Sequence, residues 1–207
     1  MSRALKLNSG DLLIGNWMTV LGRLTSLSGQ RWGHIGFVVN IDGAPHAYEI
    51  SSEGRNPIII PMQEYLNNKT LIELTVRQLK VPFNVMQEEA FKQTLIKYED
   101  TVYPSLGKVI SRVSGGPLPK GRGRRDELLC SELVYSILQS MEWVPELRVV
   151  TGNRTILPDM FIPGVIANID TMYSNELKLL YKKDHTQAEA AEILEPQLNL
   201  IGQLLLP

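Results

Sequence analysis

The dipeptide Asp42-Gly43 constrains this chain more than any other feature of its sequence. It stands between two strand-like runs, residues 35–40 and 44–50. A two-residue hairpin turn of this kind needs positive φ at both central positions, which aspartate tolerates and glycine adopts freely. The turn fixes the register. Ile41 faces Ala44, Val39 faces His46, Gly36 faces Glu49 and His34 faces Ser51. Directly opposed side chains share a face of the sheet. One face therefore carries His34, Gly36, Ala47, Glu49 and Ser51, and the other carries Phe37, His46 and Tyr48. His34 and Glu49 become diagonal neighbours, roughly 7–8 Å apart at the backbone and within reach of a long side chain. Gly36 leaves space opposite Glu49. A carboxylate beside an imidazole can fix its tautomer and stabilise its charged form. One extra residue in the turn would undo this pairing.

The rest of the chain supports an α+β reading with an antiparallel sheet, because strands come first and helices mostly later. Residues 11–15, 58–60 and 71–78 read as further strands. Residues 84–100 read as a helix, with Asn84 as cap and Gln87 at the reciprocal capping-box position. Residues 114–125 form a Gly- and Pro-rich loop carrying Lys120, Arg122, Arg124 and Arg125. It reads as a solvated loop, or as a flap favouring an anionic substrate. A second helix follows, in which Cys130, Leu133, Val134, Ile137, Leu138 and Met141 recur at helical spacing and bury one face. Leu157-Pro158-Asp159 looks like a turn into a short element. At 207 residues the chain suits one domain plus an appendage. We place the domain at residues 1–170 and a partly helical tail at 171–207.

Cys130 is the only cysteine, so no internal disulfide forms, and the thiol falls in the first turns of its helix. A helix N-terminus favours a thiolate through its dipole and free N–H groups, and a nearby histidine favours it further. The Cys130 backbone N–H could also help to hold an oxyanion. Asp126 is an alternative cap, which would start the helix earlier and weaken the dipole argument. A cysteine on an apolar helical stripe is most simply a small buried hydrophobe. A histidine at a strand edge is most simply structural or at the surface, and Glu49 alone is most simply an exposed strand residue. The sequence by itself does not bring this helix to this sheet.

Other chemistry is poorly supported. The 21 basic and 22 acidic residues give no global attraction to nucleic acid or anionic membrane. There is no Walker loop, no Gly-x-Gly-x-x-Gly and no zinc-ligand cluster, so we expect no cofactor or metal. Ser105 to Lys108 matches a Ser-x-x-Lys pattern that lacks its companions. Tyr103 and Tyr135 could line a pocket, with packing as the default, and His185 lies in a charged segment. With no leader or membrane-spanning stretch, the expected location is cytoplasmic and the two Asn-x-Thr sequons carry little weight.

The runs Gly10-Asp11-Leu12-Leu13-Ile14, Trp32-Gly33-His34-Ile35-Gly36-Phe37-Val38-Val39 and Ala47-Tyr48-Glu49 resemble the circularly permuted NlpC-type papain-like superfamily, with the YiiX- and YaeF-like amidases as its nearest members. Leu129-Cys130-Ser131-Glu132-Leu133-Val134 resembles that family's cysteine motif. Tyr103-Pro104-Ser105-Leu106 and Leu157-Pro158-Asp159 fall where it has similar segments. The likeness spans roughly residues 9–165. Histidine precedes cysteine here, the order of the permuted group, which includes lecithin retinol acyltransferase relatives. The resemblance implies a permuted papain-like fold, an antiparallel sheet or partial barrel against helices. It also implies Cys130 as nucleophile at a helix N-terminus, His34 as base and Glu49 as third polar residue. The expected activity is cleavage of an amide in a peptide, cell-wall fragment or acylated amine. Acyl transfer, lipid-ester cleavage and a silent acyl- or lipid-binding module are the alternatives. A structural protein with a buried cysteine is a third. The expected partner is a small-molecule, peptide or acyl substrate.

Overall fold

The computed structural model describes residues 5–19, 31–52, 55–105, 108–109, 127–141 and 156–183. The Asp42-Gly43 turn has φ +50° and +81°, as its hairpin requires. It joins strands β2 (His34–Ile41) and β3 (Ala44–Glu49) in the register read from the sequence, with Ile41 opposite Ala44 and Phe37 opposite Tyr48. Around this hairpin lie β1 (Leu12–Trp17), β4 (Ile58–Pro61) and β5 (Leu71–Arg77). With β6 (Lys178–Lys182) they form an open sheet in the order β4-β3-β2-β1-β5-β6, and among the described residues its strand pairs are all antiparallel.

Strand β6 (Lys178–Lys182) is an element that the sequence reading does not contain. It lies inside the stretch read as a partly helical tail, yet it pairs with β5 from Val76 to Glu73. Its apolar pair Leu179-Leu180 does not alternate cleanly, which hid the strand. Its exposed edge position tolerates the flanking lysines. Helix α4 (Ala167–Met172) runs across the position at which that tail was expected to begin.

The two faces of the sheet bury separate sets of side chains. Ile35, Phe37, Val39, Tyr48 and Ile50 join the larger core with α3 (Cys130–Ser140), whose Leu133, Val134, Ile137 and Leu138 point inward. Helix α2 (Val85–Ile96) adds Phe91 and Leu95 to that core. Leu13, Val38, Ala47 and Leu74 face the other way, against Met62 and Tyr65 of the short helix α1 (Met62–Leu66). This two-sided burial explains why β2 reads as a near-continuous apolar run.

Helix α2 begins as expected, with the Asn84 side chain accepting from Gln87 N–H and the Gln87 side chain accepting from Asn84 N–H. It ends four residues before the expected limit. Beyond Ile96 the backbone closes in i→i+3 turns, from Lys97 to Thr94 and from Tyr98 to Leu95. The last turn contains no basic residue, and Glu99 and Asp100 would sit unfavourably at the negative end of the helix dipole. Leu157-Pro158-Asp159 enters a 3-10 helix, Pro158–Phe161. The basic loop, His185 and Asp126 lie outside the described residues.

Candidate functional site

Helix α3 starts at Cys130, with Leu129 as its N-cap residue, so the thiol sits on the first helical residue. Leu129 N–H donates to the Glu132 carboxylate at 3.0 Å, which satisfies one donor of the helix start. Helix α3 packs on β2 from the face of Ile35 and Phe37. His34 is the first residue of β2, and there the helix N-terminus and the histidine meet. Cys130 is close enough to favour the charged form of His34, after Glu49.

The imidazole is fixed from its other side. His34 Nε2 lies 2.5 Å from Glu49 Oε2. With Nε2 committed to the carboxylate, Nδ1 is the nitrogen left for Cys130. The diagonal contact read from the hairpin thus becomes a direct hydrogen bond across Gly36. That glycine is needed for space: a Cβ there would lie 2.6 Å from Tyr48 O and 3.3 Å from Glu49 Cβ.

Two further side chains complete the site, and neither was singled out from sequence. Tyr65 of α1 donates its hydroxyl to the same Glu49 Oε2 at 3.0 Å. Trp17, at the end of β1, meets His34 edge-on with ring centroids 4.9 Å apart, and Tyr65 at 5.6 Å. Gly15, opposite His34 across β1 and β2, gives that ring its place. A bulge at Asn16/Trp17 marks where β1 departs from regular pairing. No periodicity marks Trp17 or Tyr65, because one follows a bulge and the other sits on a five-residue helix.

The electrostatics follow from burial and pairing. The side chains of His34 and Glu49 are 13% and 10% exposed. Burial disfavours the imidazolium, but the Glu49 carboxylate and Cys130 outweigh it and hold His34 protonated well above the usual imidazole range. Burial also works against the Glu49 carboxylate, and His34 and the Tyr65 hydroxyl overcome it, keeping Glu49 below its ordinary value. Burial, and then Glu49, push the Tyr65 phenol well up.

A cleft opens beside this pair. His34 and Glu49 share its lining with Trp17, Ser51, Asn68 and Tyr103, so Tyr103 does line a pocket. Cys130 is 5% exposed and lies in the larger core cluster rather than in the cleft wall. His46 stands apart, its Nδ1 3.0 Å from Ala44 O. Tyr135 packs against the core, and Lys108 pairs with Glu127 at 2.8 Å.

No protein-family model and no curated protein matches the chain. The crystal structure of the metalloprotein YiiX from Escherichia coli O157:H7 (DUF1105) is similar in fold, with a TM-score of 0.57. The similarity covers 86% of this chain and 99% of that one, at 14% sequence identity. The chain therefore has a YiiX-like α+β fold. Among the described residues no group of three or more His, Cys, Asp or Glu is placed to hold a metal. His34 and Glu49 are moreover committed to each other.

Proposed function

We propose that the protein is a cysteine-dependent hydrolase of amide bonds, built on a circularly permuted papain-like arrangement. The observation that carries this reading is the orientation of His34: Glu49 holds Nε2, and Nδ1 is left for Cys130. Cys130 Sγ attacks the carbonyl carbon of an amide, and its proton resides on His34 Nδ1. The Cys130 backbone N–H, at the open start of α3, supports the oxyanion. As the tetrahedral intermediate collapses, His34 gives its proton to the leaving amine and a thioester remains on Cys130. Water then attacks the thioester, giving its proton to His34, and the carboxylic acid leaves with the thiol restored. Glu49 keeps the imidazole in one tautomer throughout, and Tyr65 keeps Glu49 in place.

The substrate class we favour is a peptide, a cell-wall fragment or an acylated amine, and an acceptor other than water would make the same site an acyltransferase. A cytoplasmic setting fits the lone free thiol. The burial of Cys130 supports a second reading, a module that retains the triad but only binds an acyl or lipid-like ligand. Incubation with a panel of activated amides and esters, followed by intact-mass analysis, separates the two. The hydrolase reading expects a transient acyl adduct that Cys130→Ala abolishes. A ligand that binds without any adduct or turnover in the wild type supports the second.

A further inference from the structure

One short segment contacts both the entry to β2, where His34 sits, and the start of α3, where Cys130 sits. His34 is preceded by Arg31 and Trp32, whose backbone N–H groups both donate to one carboxylate. Trp32 N–H donates to Asp159 Oδ1 at 2.8 Å, and Arg31 N–H to Oδ2 at 3.0 Å. On the other side, Ser131 follows Cys130 directly, and its hydroxyl donates to Ile156 O at 2.6 Å. The same short stretch, residues 156–161, therefore grips the start of the histidine strand and the start of the cysteine helix. Its far end is anchored as well. Phe161 is fully buried, and its carbonyl accepts from the guanidinium of Arg77, also fully buried, at 2.8 Å. Arg77 closes β5 beside Leu12 of β1, so the stretch is tied to the sheet itself.

We infer that Asp159 is a positioning residue, setting the distance between Cys130 and His34 by clamping the entry to β2 onto the segment that also holds the start of α3. This rests on the proposed thiol–imidazole pair. A carboxylate is well suited to the task, since each oxygen can accept one of two successive N–H groups. The amide of an asparagine would set its NH2 group against one of the two N–H donors. Pro158, at the first position of the 3-10 helix, needs no partner for a backbone N–H and fixes the direction in which Asp159 emerges.

The test is the pH profile of Cys130 alkylation by iodoacetamide in the wild type, Asp159→Asn, Ser131→Ala and Asp11→Asn. Asp11 is the control: like the half-buried Asp159 it is a carboxylate accepting two backbone N–H groups, from Leu79 at 2.8 Å and Asn8 at 2.9 Å, and it is fully buried. It lies at the opposite end of the β1–β2 pairing from His34. We expect Asp159→Asn to lower the rate at pH 6 by tenfold or more and to move the profile toward that of a free thiol. Asp11→Asn is expected to lose comparable thermal stability and keep the wild-type profile. Ser131→Ala attacks the clamp from the other end; should Asp159→Asn fail to fold, its tenfold loss carries the test, and Ser131→Thr is expected to restore the rate. An activated wild-type profile that Asp159→Asn and Ser131→Ala leave unchanged would overturn this inference alone. An ordinary thiol profile in the wild type would remove the proposed function and this inference with it.

Discussion

His34 Nε2 and Glu49 Oε2 lie 2.5 Å apart, fifteen residues from one another along the chain and on one face of the β2–β3 hairpin. This carboxylate is the largest favourable influence on the buried imidazolium. Glu49→Gln should therefore bring the pKa of His34 down, since burial then opposes a weaker set of partners. NMR titration of the His34 imidazole measures this directly. Tyr65→Phe, which removes the hydroxyl holding Glu49, should raise the Glu49 pKa, because that hydrogen bond favours the charged carboxylate. Loss of the bond should cost about 1 kcal/mol of stability.

Stability should vary with pH in a way that identifies the pair. Glu49 lies below its ordinary value of 4.5 in the folded state, so its contribution is present above that pH and is lost as pH falls through the folded value. His34 lies above its ordinary 6.5, so its contribution is present below that pH and is lost as pH rises through the raised folded value. Together they act in full from pH 4.5 to 6.5 and fade on either side. Removing one partner of a buried pair costs on the order of 3 kcal/mol. The gap in urea stability between wild type and Glu49→Gln should be widest in that window and narrow toward alkaline pH. A gap that widened above neutrality would show that the pair is not charged in this sense.

Gly36→Ala tests the packing that lets His34 and Glu49 meet. The new methyl group would press on the carbonyl of Tyr48, which β3 holds in the sheet. Overpacking of this kind costs roughly 1–3 kcal/mol. We expect a lower melting temperature together with a lower His34 pKa, because Glu49 is pushed aside. A melting loss with an unchanged His34 titration would mean that Glu49 adapts and that the glycine serves the sheet alone.

Much of this site was legible in the sequence because a two-residue turn fixes register without reference to the rest of the fold. Asp42-Gly43 placed His34, Gly36 and Glu49 on one face; the structure has the register this needs from Ile41–Ala44 to Phe37–Tyr48, with Glu49 beside both Gly36 and His34. The apolar stripe from Leu133 to Leu138 likewise announced the buried face of α3. Less could be read where long-range contacts decide. The start of α3 at Cys130 is set by the Glu132 carboxylate and by contacts from residues 156–161, not by a recognisable capping residue. Tyr65 and Trp17 reach the site only through tertiary packing. Strand β6 forms because β5 presents it an edge, and its own pattern is too short and too irregular to reveal it.

The most direct test of the account is the rate of Cys130 alkylation from pH 4 to 9 in the wild type and in His34→Ala. We predict a fast reaction that persists well below about 8.5, the pKa of a free thiol, and that disappears without His34. A slow reaction that follows an ordinary thiol titration and is indifferent to His34→Ala would contradict it, leaving Cys130 as a buried core residue beside an unreactive histidine.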